Sequence, residues 1–331
     1  MSYGRGAKTA VIPAAPPYNK VVTTLAGSGA APAAFTPGYN DGAGATALFA
    51  MPTGICVLSD GKYAVADGNN NAIRIVTSAG VVSTLAKGSP FQTPWSVIQL
   101  SDGNLAVADY WESSIFIVTY PGGTVTRLAG QYDPVLYDGT FADGTGTAAR
   151  FAHPQSIVQV DSSTLLVADT YNYAIRKVTY PGGVVTTVVG PGYSNTFLSR
   201  IFNISKHSIA GHYLIADTSA SVLWDFTYPG LTYTKLVPSL GVYTDPADIK
   251  VLNDGNYVVC SWQKNVILLI TTTGVISVLA GSGTSPGIFS GAFADGTGTG
   301  ASFANPWGLA VTPSGAVLVA DQCNNRIRLI T

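Results

Sequence analysis

One short phrase constrains the fold of this chain more than any other feature. Val-Ala-Asp, or a close variant, recurs in AVADGNNNAIRIV from Ala64, AVADYWESSIFIV from Ala106, LVADTYNYAIRKV from Leu166, LIADTSASVLWDF from Leu214 and LVADQCNNRIRLI from Leu318. A sixth, degraded copy, VVCSWQKNVILLI from Val258, has Cys260 and Ser261 in place of the Ala-Asp pair. Asp67, Asp109, Asp169, Asp217, Ser261 and Asp321 follow one another at intervals of 42 to 60 residues. Such a period belongs to units too small to bury an apolar face alone, which must therefore stack on one another.

Each unit has the same internal order. An apolar segment, Pro-led in PTGICVL, PWSVIQL, PQSIVQV, PADIKVL and PWGLAVT, runs into an SDG-like turn. The Val-Ala-Asp segment, a polar loop, an IRIV-like segment and a Gly-rich turn such as TYPGG follow, before a last apolar run. Four short apolar runs separated by hairpin signals predict one antiparallel sheet per unit. Six sheets arranged around an axis make an all-β, six-bladed β-propeller of four-stranded antiparallel blades. The last unit stops at Ile327–Thr331 without a fourth strand, while NKVVTTLAG, Asn19 to Gly27, matches GGVVTTVVG, Gly182 to Gly190. The N-terminal strand is therefore expected to complete the last blade, which removes two free sheet edges. This divides the chain into a Pro-rich tail, 1–18, and a single propeller, 19–331. The tail, uncharged through VIPAAPP, is expected to dock on a neighbouring molecule.

Composition supports strands over helices. Of 18 acidic residues only Glu112 is a glutamate, and 37 Gly with 19 Pro suit tight turns better than helix interiors. A net charge of −1, with 17 dispersed Lys and Arg, gives no basic footprint for nucleic acid. No apolar run reaches the roughly 18 to 20 residues of a membrane span, and MSYGRGAKTA lacks the apolar core of a secretory signal. Cys56, Cys260 and Cys323 are too few and too far apart for a disulfide framework or a zinc site. The compartment stays open, with an extracellular or assembly-associated setting favoured over the cytoplasm.

A second repeat precedes units one, three and six: YNDGAGATALFAMP from Tyr39, FADGTGTAARFAHP from Phe141 and FADGTGTGASFANP from Phe293. Its glycines permit backbone shapes closed to other residues, and its Asp can bond amides two positions on, so it reads as a self-bracing turn. Its Ala and Phe are expected to plug between blades, and the loop to rise beside the Val-Ala-Asp loops. Calcium is the rival reading, since Asp41, Asp143 and Asp295 offer oxygens, but each loop brings only one or two carboxylates where a dedicated site has more. The Val-Ala-Asp aspartates read as Asx-type braces of their own loops. Arg74, Arg176 and Arg328 are expected to pair with aspartates.

The pattern F-x-x-P-x-G-[VI] followed by VAD-x-x-N-x-x-IR and GVV[ST]TLAG resembles NHL-repeat β-propellers over nearly the whole chain from Asn19. Units one, three and six match it best; unit four lacks the leading Pro and unit five the Asp. The resemblance implies a six-bladed ring, and related six-bladed superfamilies include lactonases, phosphotriesterases and strictosidine-synthase-like enzymes. Some NHL domains bind RNA through a strongly basic rim, which this chain lacks.

In such a ring the inter-blade loops and the Val-Ala-Asp loops share one rim, and function concentrates on loops. Trp95 and Trp307 follow the Pro that starts an inner strand, near the channel mouth. Tyr110, Trp111, Tyr171, Tyr173 and Trp262 lie in Val-Ala-Asp loops. Together these seven are the candidate binding residues, because aromatic rings with polar tips serve proteins and glycans alike. The chemistry of hydrolysis is missing: Glu112 lies in an outer loop, and the inner strands begin with Thr53, Trp95, Gln155, Ala247 and Trp307, poor metal ligands and poor acids. His153, His207 and His212 have no metal-ligand spacing, and the latter two flank a hairpin expected at the surface. Asn203-Ile204-Ser205 is a glycosylation sequon. The expectation is therefore a non-catalytic interaction or scaffold propeller without cofactor. It would bind a protein partner, a glycan or copies of itself through its aromatic rim, possibly within a larger assembly. The alternative is a metal-dependent hydrolase or lyase of the lactonase-like type that uses the central channel.

Overall fold

A computed structural model describes residues 20–28, 38–132, 141–190, 200–283 and 292–331. The tail 1–18 and its expected docking lie outside these residues. The described chain forms six antiparallel sheets, each running from an inner to an outer strand. Blade one shows the pattern, with strands Pro52–Val57, Tyr63–Asp67, Ala72–Val76 and Val81–Lys87. No helix among the described residues is long and apolar enough to cross a membrane.

Ring closure follows the sequence expectation. Val21–Ala26 pairs antiparallel with Arg326–Ile330, so the N-terminal strand is the fourth strand of blade six. Blades one, three and six differ from the expected four strands. In each, two residues of the repeated loop, Gly42–Ala43, Gly144–Thr145 or Gly296–Thr297, add a short fifth strand outside the fourth. The loop does not stand on the rim as expected: it runs down the outer edge, and its tip, Gly44, donates its N–H to the carbonyl of Gly80 in the far turn. The pairing of Leu48 N–H with the Asn40 carbonyl brings the chain back upward.

The core is divided among the blade interfaces. Ala64 and Ala66 pack toward blade two while Val65 packs toward blade six, so a strand with alternating small and branched residues is buried on both faces. The Ala and Phe of the repeated loop, Ala47 and Phe49, Ala149 and Phe151, Ala301 and Phe303, do plug these interfaces. Truncating such a buried Phe to Ala costs about 3–5 kcal/mol.

Candidate functional site

Every inner strand starts with an irregularity. Pairing with the second strand slips just after the first residue, Pro52, Pro94, Pro154, Ile201, Pro246 or Pro306. Such a bulge re-aims the side chain that follows it. The residues at that place include Trp95 of blade two, Phe202 of blade four and Trp307 of blade six. Their rings meet, Trp307 lying 5.1 Å from both Trp95 and Phe202. Side chains from alternate blades of a six-fold ring touch only across its axis, so these three rings plug the channel at the loop-rich rim.

The plug continues outward as an aromatic plate. Trp262 lies 5.5 Å from Trp307, and Tyr110 lies 4.9 Å from Trp95 and 5.1 Å from Trp111. His153 stacks on Tyr110 at 4.2 Å and meets Tyr171 at 4.7 Å, while the Tyr110 hydroxyl donates to that of Tyr171 at 3.1 Å. Arg200 spans from Tyr171, 4.2 Å away, to Phe202, closing the circuit. Six of the seven candidate residues thus come together, and Trp111 remains 46% exposed. Tyr173 does not join them: it sits in a left-handed turn conformation, 54% exposed. His153, Phe202 and Arg200 were missed. The missing Pro of blade four hid Phe202, which alignment on Asp217 would have found because Ile201 pairs with that aspartate.

Beneath the plug the channel is a blind cavity of about 500 Å³ that runs to Lys206, His207 and Ser208 at the opposite rim. The third residues of the inner strands are Gly54, Ser96, Ser156, Asn203, Asp248 and Gly308. The ring is lopsided as a result. A Cβ on Gly308 would lie 2.1 Å from the Thr53 carbonyl oxygen, so blades six and one press together, while blades two to five carry polar side chains. Asp248 accepts from Lys250 Nζ at 2.5 Å and from the Leu309 N–H of the next blade at 2.8 Å. Burial raises its carboxyl pKa even against the pull of Lys250. This pair escaped the sequence reading, which stopped at the second position; comparing third and fifth positions would have found it. Asn203, on the channel wall, donates its amide to Ser156 Oγ, so the sequon faces the interior instead of a glycosylating surface. His207 is half-buried at the far mouth rather than on the open surface, and His212 bonds Asp225 at 2.9 Å.

The repeated loop is a cradle for an arginine. Arg74 donates Nη1 to Asp67 and the Leu48 carbonyl, and Nη2 to Asp41 and the Asn40 carbonyl. Its guanidinium lies between Tyr39 and Phe49, 4.8 and 5.2 Å from the ring centres. Arg176 and Arg328 repeat the arrangement with Asp169 and Asp143, and with Asp321 and Asp295. The expected pairing with aspartates therefore holds. The first Asp of the loop, however, bonds the arginine and a fourth-strand Thr, not amides two positions on; Asp41 accepts from both N–H and Oγ1 of Thr84. Burial pushes Asp41 up, but the bonds from Arg74 and Thr84 outweigh it and hold the carboxyl low. At Asp67, Asp109 and Asp169 burial prevails and the carboxyl rises to about 6. These Val-Ala-Asp carboxylates brace more than their own loop, since Asp67 accepts from Asn70 and also from the Ala50 N–H before the inner strand.

Among the described residues no group of three or more His, Cys, Asp or Glu side chains could hold a metal ion. Glu112 pairs with Arg127 at 2.6 Å. The Cys323 thiol is pushed up to about 12 by burial, and Cys260 rises for the same cause, so neither is poised as a nucleophile.

A family model, NHL repeat, matches residues 49–76 and 303–328, within blade one and within blade six. The chain is a six-bladed β-propeller that carries NHL repeats in two of its blades. No curated protein matches its sequence. Among solved structures, this propeller is similar to an auxiliary nutrient binding protein from Bacteroides ovatus, with TM-score 0.71 and 15% identity over 95% of this chain and 77% of that one. A virginiamycin B lyase from Staphylococcus aureus superposes with TM-score 0.57 and 16% identity, covering 85% and 80%. A calcium-binding protein, regucalcin, from Agrobacterium tumefaciens gives 0.60 and 13%, covering 88% and 93%. At these identities the likeness shows the shared fold alone.

Proposed function

We propose that this propeller is a non-catalytic interaction module that docks a macromolecular partner on the aromatic plate of its loop-rich rim. The observation that carries this is the unbroken circuit of rings from Trp262 through Trp307, Trp95 and Tyr110 to Tyr171, with Trp111 standing out of it into solvent. A plate already ordered by its own contacts loses little freedom on binding, and Trp and Tyr dominate the centres of protein interfaces. A protein partner fits best; a glycan chain or a second copy of the chain are the other occupants to test. The nutrient-binding relative from Bacteroides supports a binding role. Against a hydrolase or lyase stands the third-position ring, whose single carboxylate, Asp248, already accepts from Lys250 and two backbone N–H groups.

Trp111→Ala tests the proposal. Proteins retained from the native host, a glycan array and the solution mass by light scattering are compared for the two forms. Truncating an exposed hot-spot ring is expected to weaken one of these associations by about tenfold or more, with the melting temperature unchanged. Identical retention, array pattern and mass in both forms would contradict it.

A further inference from the structure

We propose that the outer edge of blade five is a second docking surface, distinct from the aromatic plate, and that its occupant is the same edge of a second copy of this chain, paired antiparallel about a two-fold axis. The fourth strand of blade five is Ile276–Ala280, and among the described residues no fifth strand lies outside it. Blades one, three and six show how such an edge is filled. There the carbonyls of Gly80, Gly183 and Lys20 accept the N–H of a glycine in the repeated loop, and the N–H groups of Thr84, Thr187 and Thr24 donate to the loop's aspartates. The corresponding residues of blade five are Gly274 and Val278, and among the described residues nothing fills these groups or pairs with Ile276 from outside. The far end of the strand is closed, because Gly281 donates to the Gly298 carbonyl, so the open stretch is 274–278.

Blades two and four have no fifth strand either, but each guards its edge with a cation. Where blades one, three and six carry an arginine on the third strand, blade two pairs Phe116 with Arg127 of its fourth strand, and blade four pairs Trp224 with Lys235. Each cation lies over its ring, at 4.9 and 5.5 Å. Blade five has Leu268 and Val278 at this place, and no charged residue from Val266 to Gly281. Charged side chains are what keeps an open edge from pairing with another chain. The two most exposed large hydrophobic side chains among the described residues also lie here. Val275, 60% exposed, precedes the strand, and Val242, 73% exposed, adjoins Tyr243, which packs in one cluster with Ile276 and Val278. The edge matches itself. Val275 and Ser277 turn their backbone groups to the third strand, so the outward ones are the Gly274 carbonyl, the Ile276 N–H and carbonyl, and the Val278 N–H. Setting Ile276 opposite Ile276 of the second copy brings Val278 opposite Gly274, and each donor meets an acceptor. A charged strand could not pair in this way, because the two-fold axis would set its charges beside their own copies.

Sedimentation and light scattering of the full chain between about 1 and 100 µM, a range suited to a small interface, test the proposal. The mass is expected to rise from one copy to two. The double variant Val275→Lys/Ser277→Lys changes two exposed positions on one face of the strand, so it is expected to fold yet weaken the dimer about tenfold or more, and Val275→Glu/Ser277→Glu likewise. Mixing the two double variants is expected to restore a dimer with one copy of each, a result that misfolding of either could not give. Trp111→Ala is expected to dimerise as the unaltered chain does, which separates this edge from the rim. A single-copy mass throughout the range, as cover of the edge by the tail 1–18 or by a foreign peptide would give, overturns the proposal. So does a dimer undiminished by the charged variants, no restoration on mixing, or loss of the dimer in Trp111→Ala.

Discussion

Arg176 has no solvent exposure, yet four of its donor bonds are filled by Asp169, Asp143 and two carbonyls. Its place in the sheet explains why the long loop appears in only three blades. The residues in the same register elsewhere are Phe116, Trp224 and Leu268, which need no carboxylates, and their blades lack the loop. Arg176→Leu leaves Asp169 buried without its cation, and removing one partner of a buried pair costs about 3–5 kcal/mol. Denaturant unfolding should show that loss, and an unshifted midpoint would contradict it. The pairing of arginine with aspartate was legible from spacing. The reach of Asp41 to Thr84, 43 residues on, was not, because nothing local in DGAG says which distant strand will lie beside it.

At the level of the strand, the inner strands combine a bulge that turns the second side chain to the axis with a third residue that sets how near the next blade comes. Gly308 is the sharpest instance, since a methyl group there would overlap the Thr53 carbonyl. Gly308→Ala is expected to destabilise by about 1–3 kcal/mol, the usual cost of overpacking. Gly300→Ala, at a glycine with nothing near its Cβ position, should not. Thermal melts of the two variants check this, and equal melting would show that the close approach is slack. The strand order was readable from alternating apolar runs and turn signals. The bulge was not, because a slip in pairing is a property of two strands together.

For the whole molecule, the ring closes through the N-terminal strand, which carries Val22 into the interface of blades five and six. A chain lacking residues 1–27 would leave Arg326–Ile330 as an open edge and remove that core residue. It is expected to melt broadly and at lower temperature than the full chain by circular dichroism; a cooperative melt at the same temperature would refute the closure. The sequence by itself determined the all-β class, six repeats and the closing strand, because each rests on periodicity and on segments that match one another along the chain. Only the tertiary structure decided that Trp95, Phe202 and Trp307 seal one end of the channel and that Asp248 and Lys250 lie beneath them. Those residues come from blades far apart in sequence, and convergence on an axis depends on how six sheets pack rather than on any local pattern.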